Sequence, residues 1–212
     1  MNIQDKVQWV YSSQSKQELT ERYDVWAKDY EQNLDDQFGY IGPEPAVDIL
    51  TKYVSPDATI LDAGAGTGLV GQILHQRSYH NLEAMDMSPG MLKEAEQKNV
   101  YTKVHQGILG EALNFTTATF DAIISVGVFT HGHVGSDAFD ELIRITKPGG
   151  YIVFTISVGH YENSDFKTKL SSLEANGKWE KVETTEKFRA HAKKDTGVYL
   201  QVWVYRIKSI SR

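Results

Sequence analysis

The chain has 212 residues, none of them cysteine, with 22 basic against 28 acidic side chains and a formal net charge of −6. That length suits one domain with a real core, and the missing cysteines exclude disulfides, thiolate metal sites and cysteine nucleophiles. The acidic balance, without a stripe of Lys and Arg to release counterions from phosphates, argues against nucleic acid as a partner. Hydrophobic (41%) and charged (24%) contents are ordinary for a globular protein. No apolar run is long enough to span a bilayer, and Met1 to Gln8 lacks the layout of a secretory signal. A cytoplasmic protein, monomer or homodimer, is therefore expected. The histidines are scattered without carboxylates at ligand spacing, so no metal is expected.

In chain order, residues 1–42 are polar and rich in Gln and acids, and carry Tyr23, Trp26 and Tyr30. Spacings of three and four put these aromatics on one helical face. Gly39 to Pro45 breaks the segment, which reads as a helical cap or lid on a core of residues 43–212, all within a single domain 1–212. A helix follows from Pro43 or Pro45, with Ala46, Ile49, Leu50, Tyr53 and Val54 as its buried stripe. Thr59–Ala63 is an apolar strand running into a glycine loop, and Leu69, Val70, Ile73 and Leu74 take up helical spacing. Leu82–Met87 is a second strand. Ser88-Pro89 then starts a helix, as N-cap and first helical residue. Val100–His105 is a weak third strand. Phe120–Val126 is a strong fourth, its apolar run that of a strand buried on both faces. Ser136–Thr146 is helical and stopped by Lys147-Pro148-Gly149-Gly150, and Tyr151–Val158 is a fifth strand. Trp179–Phe188 and Val198–Ile207 read as a hairpin-like pair closing one edge. Together these predict an α/β fold: a Rossmann-like doubly wound sheet of about seven strands, mostly parallel with an antiparallel C-terminal strand, under an N-terminal helical cap.

The chemistry centres on Asp62-Ala63-Gly64-Ala65-Gly66-Thr67-Gly68. It follows a strand and opens a helix, where glycines let the backbone approach a ligand and the helix offers unsatisfied N–H groups. Asp86 ends the second strand, where a carboxylate can accept both ribose hydroxyls. Dinucleotide sites use Gly-x-Gly-x-x-Gly; here the third glycine position of that pattern is Leu69. Asp62 would also repel a pyrophosphate, but suits an ammonium group such as the amino-acid end of S-adenosylmethionine. These two points disfavour a nicotinamide oxidoreductase.

Ile60–Gly68 resembles motif I of the class I S-adenosylmethionine-dependent methyltransferases. Met85–Leu92, Phe120–Ile124 and Glu141–Gly150 resemble three further motifs, in the family's order. Tyr23–Glu31, Gly68-Leu69-Val70 and Leu109-Gly110 are similar to methyltransferase-like proteins of the Williams–Beuren-region type. The resemblance implies S-adenosylmethionine as cofactor, held by Tyr30, Asp62, Ala63, Gly64, Ala65, Gly66, Thr67, Gly68, Asp86, Met87, Gly107, Ile108, Leu109, Ser125 and Val126. Many relatives carry an acid after Gly107 that reads the adenine amino group. Ile108-Leu109 replaces it here, so adenine is expected to meet apolar side chains and backbone.

The implied reaction is in-line displacement of the methyl group by a small-molecule nucleophile, helped by alignment and water exclusion. His131 and His133, in the loop after the fourth strand, are candidate general bases, or else exposed loop residues. Tyr23, Trp26 and Phe129 are candidate substrate contacts; the cap aromatics could equally pack the helix onto the core. The rival readings are a non-catalytic cofactor-binding or regulatory protein on the same scaffold, and a methylase of protein or nucleic acid. Ser125-Val126-Gly127-Val128 does not match the Asn/Asp-Pro-Pro-aromatic run of amino-methylating nucleic-acid enzymes.

Overall fold

The computed structural model describes residues 3–130 and 133–209, with the side chains of residues 3, 4 and 35–37 left undescribed. The cap comprises α1 (Ile3–Tyr11), α2 (Lys16–Trp26), a 3₁₀ turn (Ala27–Asp29) and α3 (Tyr30–Gln37). Ser15 caps α2 by accepting from the Glu18 amide, and Glu18 in turn accepts from the Gln14 amide at 2.7 Å. The 3₁₀ turn means that Tyr23 and Trp26 lie on one helix while Tyr30 opens the next. The three rings nevertheless gather: Tyr23 and Trp26 stack at 6.4 Å, and Trp26 meets Tyr30 edge-on at 4.9 Å. With Val10 and Leu19 they form a small core of the cap's own, which also touches Met87.

The core runs α4 (Pro43–Tyr53), β1 (Ile60–Ala63), α5 (Leu69–Gln76), β2 (Leu82–Asp86), α6 (Pro89–Gln97) and β3 (Lys103–Gln106). It continues with β4 (Phe120–Phe129), α7 (Ala138–Ile145), β5 (Thr146–Ser157), α8 (Val158–Asn163), α9 (Phe166–Ala175), β6 (Trp179–Thr184), β7 (Phe188–Arg189) and β8 (Tyr199–Ile207). Ser88 caps α6 as expected, its hydroxyl accepting from the Met91 amide, with Pro89 at the first helical position. The sheet order is β3-β2-β1-β4-β5-β8-β6, with β7 pairing β8. β1 through β5 are parallel, and β8 is antiparallel to both β5 and β6. The strand order reverses at β1, with β2 on one side and β4 on the other. Open α/β sheets bind ligands above the carboxyl ends of strands at such a switch point.

The doubly wound expectation holds. The C-terminal pair closes one edge as expected, β6 and β8 being antiparallel neighbours with β6 at the edge and β8 inside it. The side chains of β8 explain this: Val202 and Val204 are buried with Leu50 and Val153 on one face, while Trp203 and Tyr205 are buried with Phe154 and Trp179 on the other. A strand covered on both faces belongs in the interior. The segment Lys147–Gly150, expected to stop α7, already belongs to β5. α8 and α9 fill the gap before β6, and α9 buries Phe166, Leu170 and Leu173.

Candidate active site

The glycine loop is fixed from two sides. The amides of Gly64 and Ala65 both donate to the Met85 carbonyl, at 2.7 and 3.0 Å, which ties the loop across to β2. Gly64 has φ +78°, and a Cβ there would come within 2.3 Å of Val128 Cγ2, so only glycine lets β4 approach so closely. Gly66 donates to Asp86 Oδ2 and Ser88 donates to Oδ1, each at 2.9 Å. These two N–H groups fix the Asp86 carboxylate at the cavity wall. Burial nonetheless pushes its pKa up, against the lowering effect of these amides.

Asp62 lies behind this surface, 2% exposed. Its Oδ2 accepts the Tyr101 hydroxyl at 2.6 Å, and Tyr101 itself accepts from the Gly71 amide in α5. Its Oδ1 is buried with no partner. Burial is the main reason that its pKa is pushed up to about 7, with nearby Asp86 adding to the rise and Tyr101 opposing it.

Above the loop lies a cavity of about 940 Å³, roofed by the cap, which is at the upper end of the ~300–1,000 Å³ usual for small-molecule sites. The cap is latched to the floor through Asp24, whose Oδ1 accepts from Ser88 Oγ at 2.5 Å and from the Gly90 amide at 2.7 Å. Its far end is laced to the C-terminal arm: Ile41 donates to the Ala190 carbonyl, and Ala192 to that of Gly39. Tyr23 Oη and His133 Nε2 are hydrogen-bonded at 2.7 Å, and the His133 ring meets Tyr11 edge-on. Burial raises the Tyr23 pKa well above its ordinary value, and Tyr30 contributes. The phenol therefore stays protonated, and it can donate to Nε2 or accept from it according to the His133 tautomer.

Of the residues expected to hold cofactor, Tyr30, Gly64, Gly66, Asp86, Met87, Gly107, Ile108, Leu109 and Val126 line the cavity. Asp62, Ala63, Ala65, Thr67 and Gly68 stand behind that wall, shaping the loop. Ser125 is fully buried, and its hydroxyl donates to the Ala63 carbonyl at 2.7 Å, so it joins β4 to β1. Of the expected substrate contacts, Tyr23 and Trp26 line the cavity, with Trp26 Nε1 donating to Asn33 Oδ1. The expectation for Phe129 is corrected: its ring is 1% exposed and packs against Phe139, Phe154 and Phe166. The cause is an irregularity in the β4–β5 register between Ser125 and Phe129, where Gly127 has φ +76°. The bulge turns Phe129 into the core and leaves Val126, Gly127 and Val128 at the cavity. His133 lines the cavity, and His131 lies outside the described residues. The sequence reading missed Tyr101, Tyr40 and His191, which stand in no recognisable motif for this chemistry, and gave no role to Asp24, which lies within the matched segment Tyr23–Glu31. Among the described residues, no group of three or more His, Asp or Glu side chains could hold a metal ion. No helix among them is long and apolar enough to cross a membrane.

Comparison with known proteins agrees with this geometry. Residues 61–154 match the family described as a methyltransferase domain. The chain is 37% identical over 166 residues to human Methyltransferase-like protein 27, covering 74% of this chain and 66% of that protein. It is 36% identical over 81 residues to a bovine 18S rRNA (guanine-N(7))-methyltransferase, covering 38% of this chain and 28% of that protein. The matches thus span less than two thirds of either relative. A TehB-like S-adenosylmethionine-dependent methyltransferase from Corynebacterium glutamicum superimposes with a TM-score of 0.63 at 23% identity, covering 89% of this chain and 99% of that one. The chain belongs to the class I S-adenosylmethionine-dependent methyltransferases.

Proposed function

We propose that this chain transfers the methyl group of S-adenosylmethionine to a small-molecule acceptor enclosed between the glycine loop and the cap. The observation that carries this reading is the single cavity of about 940 Å³ that joins Asp86 and Gly66 to the cap aromatics, since transfer needs both reactants aligned in one water-excluding space. The family's cofactor suits the residues present. Asp86 is a half-buried carboxylate pre-oriented by two amides, fit to accept ribose hydroxyls. The unpartnered Asp62 Oδ1 has the chemistry to offset a nearby ammonium group. A Cβ on Gly66 would meet nothing within 4 Å, so the backbone there is open to a ligand. Ile108 and Leu109 offer an apolar wall for adenine. When bound, the cofactor supplies an electrophilic methyl group.

The chain's own contribution is to bind, align and dry the site. The Tyr23–His133 pair is the described candidate for accepting a proton: as the phenol oxygen takes a proton from the acceptor, its own can move to Nε2. Acceptors that lose no proton would not need it.

The similarity to an rRNA methyltransferase makes nucleic acid the competing acceptor class. Among the described residues lining the cavity, the charged side chains are Lys16 and Asp86, and Lys16 is paired with Glu111 at 2.9 Å. That lining favours a small neutral molecule over a phosphate-bearing one. The test incubates the protein with methyl-labelled S-adenosylmethionine and, separately, a metabolite extract or total RNA. Label in a low-molecular-weight product supports the reading. Label in RNA alone, or in neither, overturns it.

A further inference from the structure

The cavity extends past the residues that suit the cofactor to a second polar corner, built where the segment after the cap helices meets the arm between β7 and β8. Tyr40, just after the cap helices, forms an isolated antiparallel bridge with His191 on the C-terminal arm. Their rings lie 6.0 Å apart, and both line the cavity. The Tyr40 hydroxyl is buried and has no hydrogen-bond partner. It stands over the β4 bulge, where a Cβ on Gly127 would come within 2.9 Å of it. A buried hydroxyl left unpaired costs free energy, and such groups in native proteins call for an explanation. Burial pushes the Tyr40 phenol above its ordinary pKa, so it is a protonated donor.

His191 supplies the complement. Its Nδ1 is within 2.7 Å of Thr196 Oγ1, which leaves Nε2 for another partner. Burial lowers its pKa from the ordinary 6.5, so the ring is neutral at physiological pH. The surrounding lining is apolar: Phe38, Ala190, Val198 and Leu200. No Lys, Arg, Asp or Glu lines this end among the described residues, and the nearby Lys194 ammonium lies over the Phe38 ring, 5.8 Å from its centre, without itself lining the cavity, so a charged group here would have no counter-ion in the cavity wall.

We propose that Tyr40 and His191 form the recognition site for the methyl acceptor, a neutral and largely apolar molecule carrying a hydroxyl group, with Tyr40 Oη donating to that oxygen and His191 accepting from its O–H. This inference rests on the methyl-transfer reading and names the substrate class for the same cavity. A phenol or alcohol satisfies both residues at once. A carboxylate would satisfy Tyr40 alone and bring an unpaired charge.

Calorimetry with 2-naphthol and 2-naphthoate as probes, run with and without S-adenosylhomocysteine, tests this. 2-Naphthol should bind at least tenfold more tightly than 2-naphthoate. Tyr40→Phe removes only the unpaired hydroxyl. It should weaken 2-naphthol about tenfold, leave S-adenosylhomocysteine affinity unchanged, and leave the ligand-free Tm equal or higher. His191→Phe should weaken 2-naphthol in the same way. Undetectable 2-naphthol binding, equal or tighter 2-naphthoate binding, or a Tyr40→Phe loss confined to S-adenosylhomocysteine would each overturn the assignment. Absent S-adenosylhomocysteine binding in the unaltered protein would refute the methyl-transfer reading instead, and the naphthol comparison would still decide the acceptor site.

Discussion

Binding of the cofactor product S-adenosylhomocysteine should release a proton from Asp62. In the free protein this carboxyl is buried, one oxygen is unpartnered, and its pKa is pushed up to about 7. A ligand ammonium placed beside it would favour the ionised form and pull the pKa back down. At pH 7 about half of the molecules would then give up a proton, rising to ~0.9 proton at pH 6 and falling to ~0.1 at pH 8. Titration calorimetry in buffers of different ionisation enthalpy measures that number directly. Asp62→Asn should remove this contribution while keeping an acceptor for Tyr101. The same carboxyl costs stability. A folded-state pKa above the unfolded value makes the folded chain hold more protons, so stability falls as pH rises from about 4 through 7. The rise from 3.8 to about 7 is on the order of 4 kcal/mol, so above pH 7 Asp62→Asn should melt higher than the unaltered protein without ligand, yet bind S-adenosylhomocysteine more weakly. Proton release identical in the two proteins would refute the placement of Asp62 against the ammonium group.

Three further predictions follow from individual contacts. Phe129→Ala should cost about 3–5 kcal/mol of stability, read as a lower denaturation midpoint, with cofactor-product affinity unchanged under folding conditions; a loss of affinity without a loss of stability would return Phe129 to the site. Asp24→Asn weakens the latch to Ser88 and Gly90, worth roughly 1.5–3 kcal/mol per charge-assisted bond at most, and should speed amide exchange in residues 20–35 while leaving β4 protected; unchanged exchange would show that the cap is held elsewhere. In the unaltered protein the cap reading expects those amides to gain protection when S-adenosylhomocysteine binds, whereas protection already equal to that of β4 without ligand would make the cap fixed scaffold.

Much of the fold was legible because its signals are local. The apolar run of β4, the Ser88-Pro89 helix start and the glycine loop after β1 each state their conformation within a few residues. The glycine-loop wall of the cavity was legible for the same reason, since Gly64, Gly66 and Asp86 sit at strand ends in a recognisable order and all three line the cavity. What failed to show depends on contacts across the chain. The bulge at Gly127, which turns Phe129 inward, leaves no mark in a sequence that reads as a nearly continuous apolar run. Tyr101 reaches Asp62 from 39 residues away, and Asp24 reaches Ser88 from 64. β8 lies inside the sheet only because both of its faces are covered, and a period-two pattern of aromatics against valines cannot say which face is exposed. The pairing of Tyr40 with His191 joins segments about 150 residues apart in sequence, with no motif at either.

The most direct test of the account is the cofactor affinity of Asp86→Ala. Calorimetry on the unaltered protein should show S-adenosylhomocysteine binding and no NAD binding at comparable concentration. Loss of charge-assisted hydrogen bonds of roughly 1.5–3 kcal/mol each predicts at least tenfold weaker S-adenosylhomocysteine binding in Asp86→Ala, in a protein that still folds. NAD binding by the unaltered protein, or an affinity for S-adenosylhomocysteine unmoved by the substitution, would contradict the assignment of this cavity.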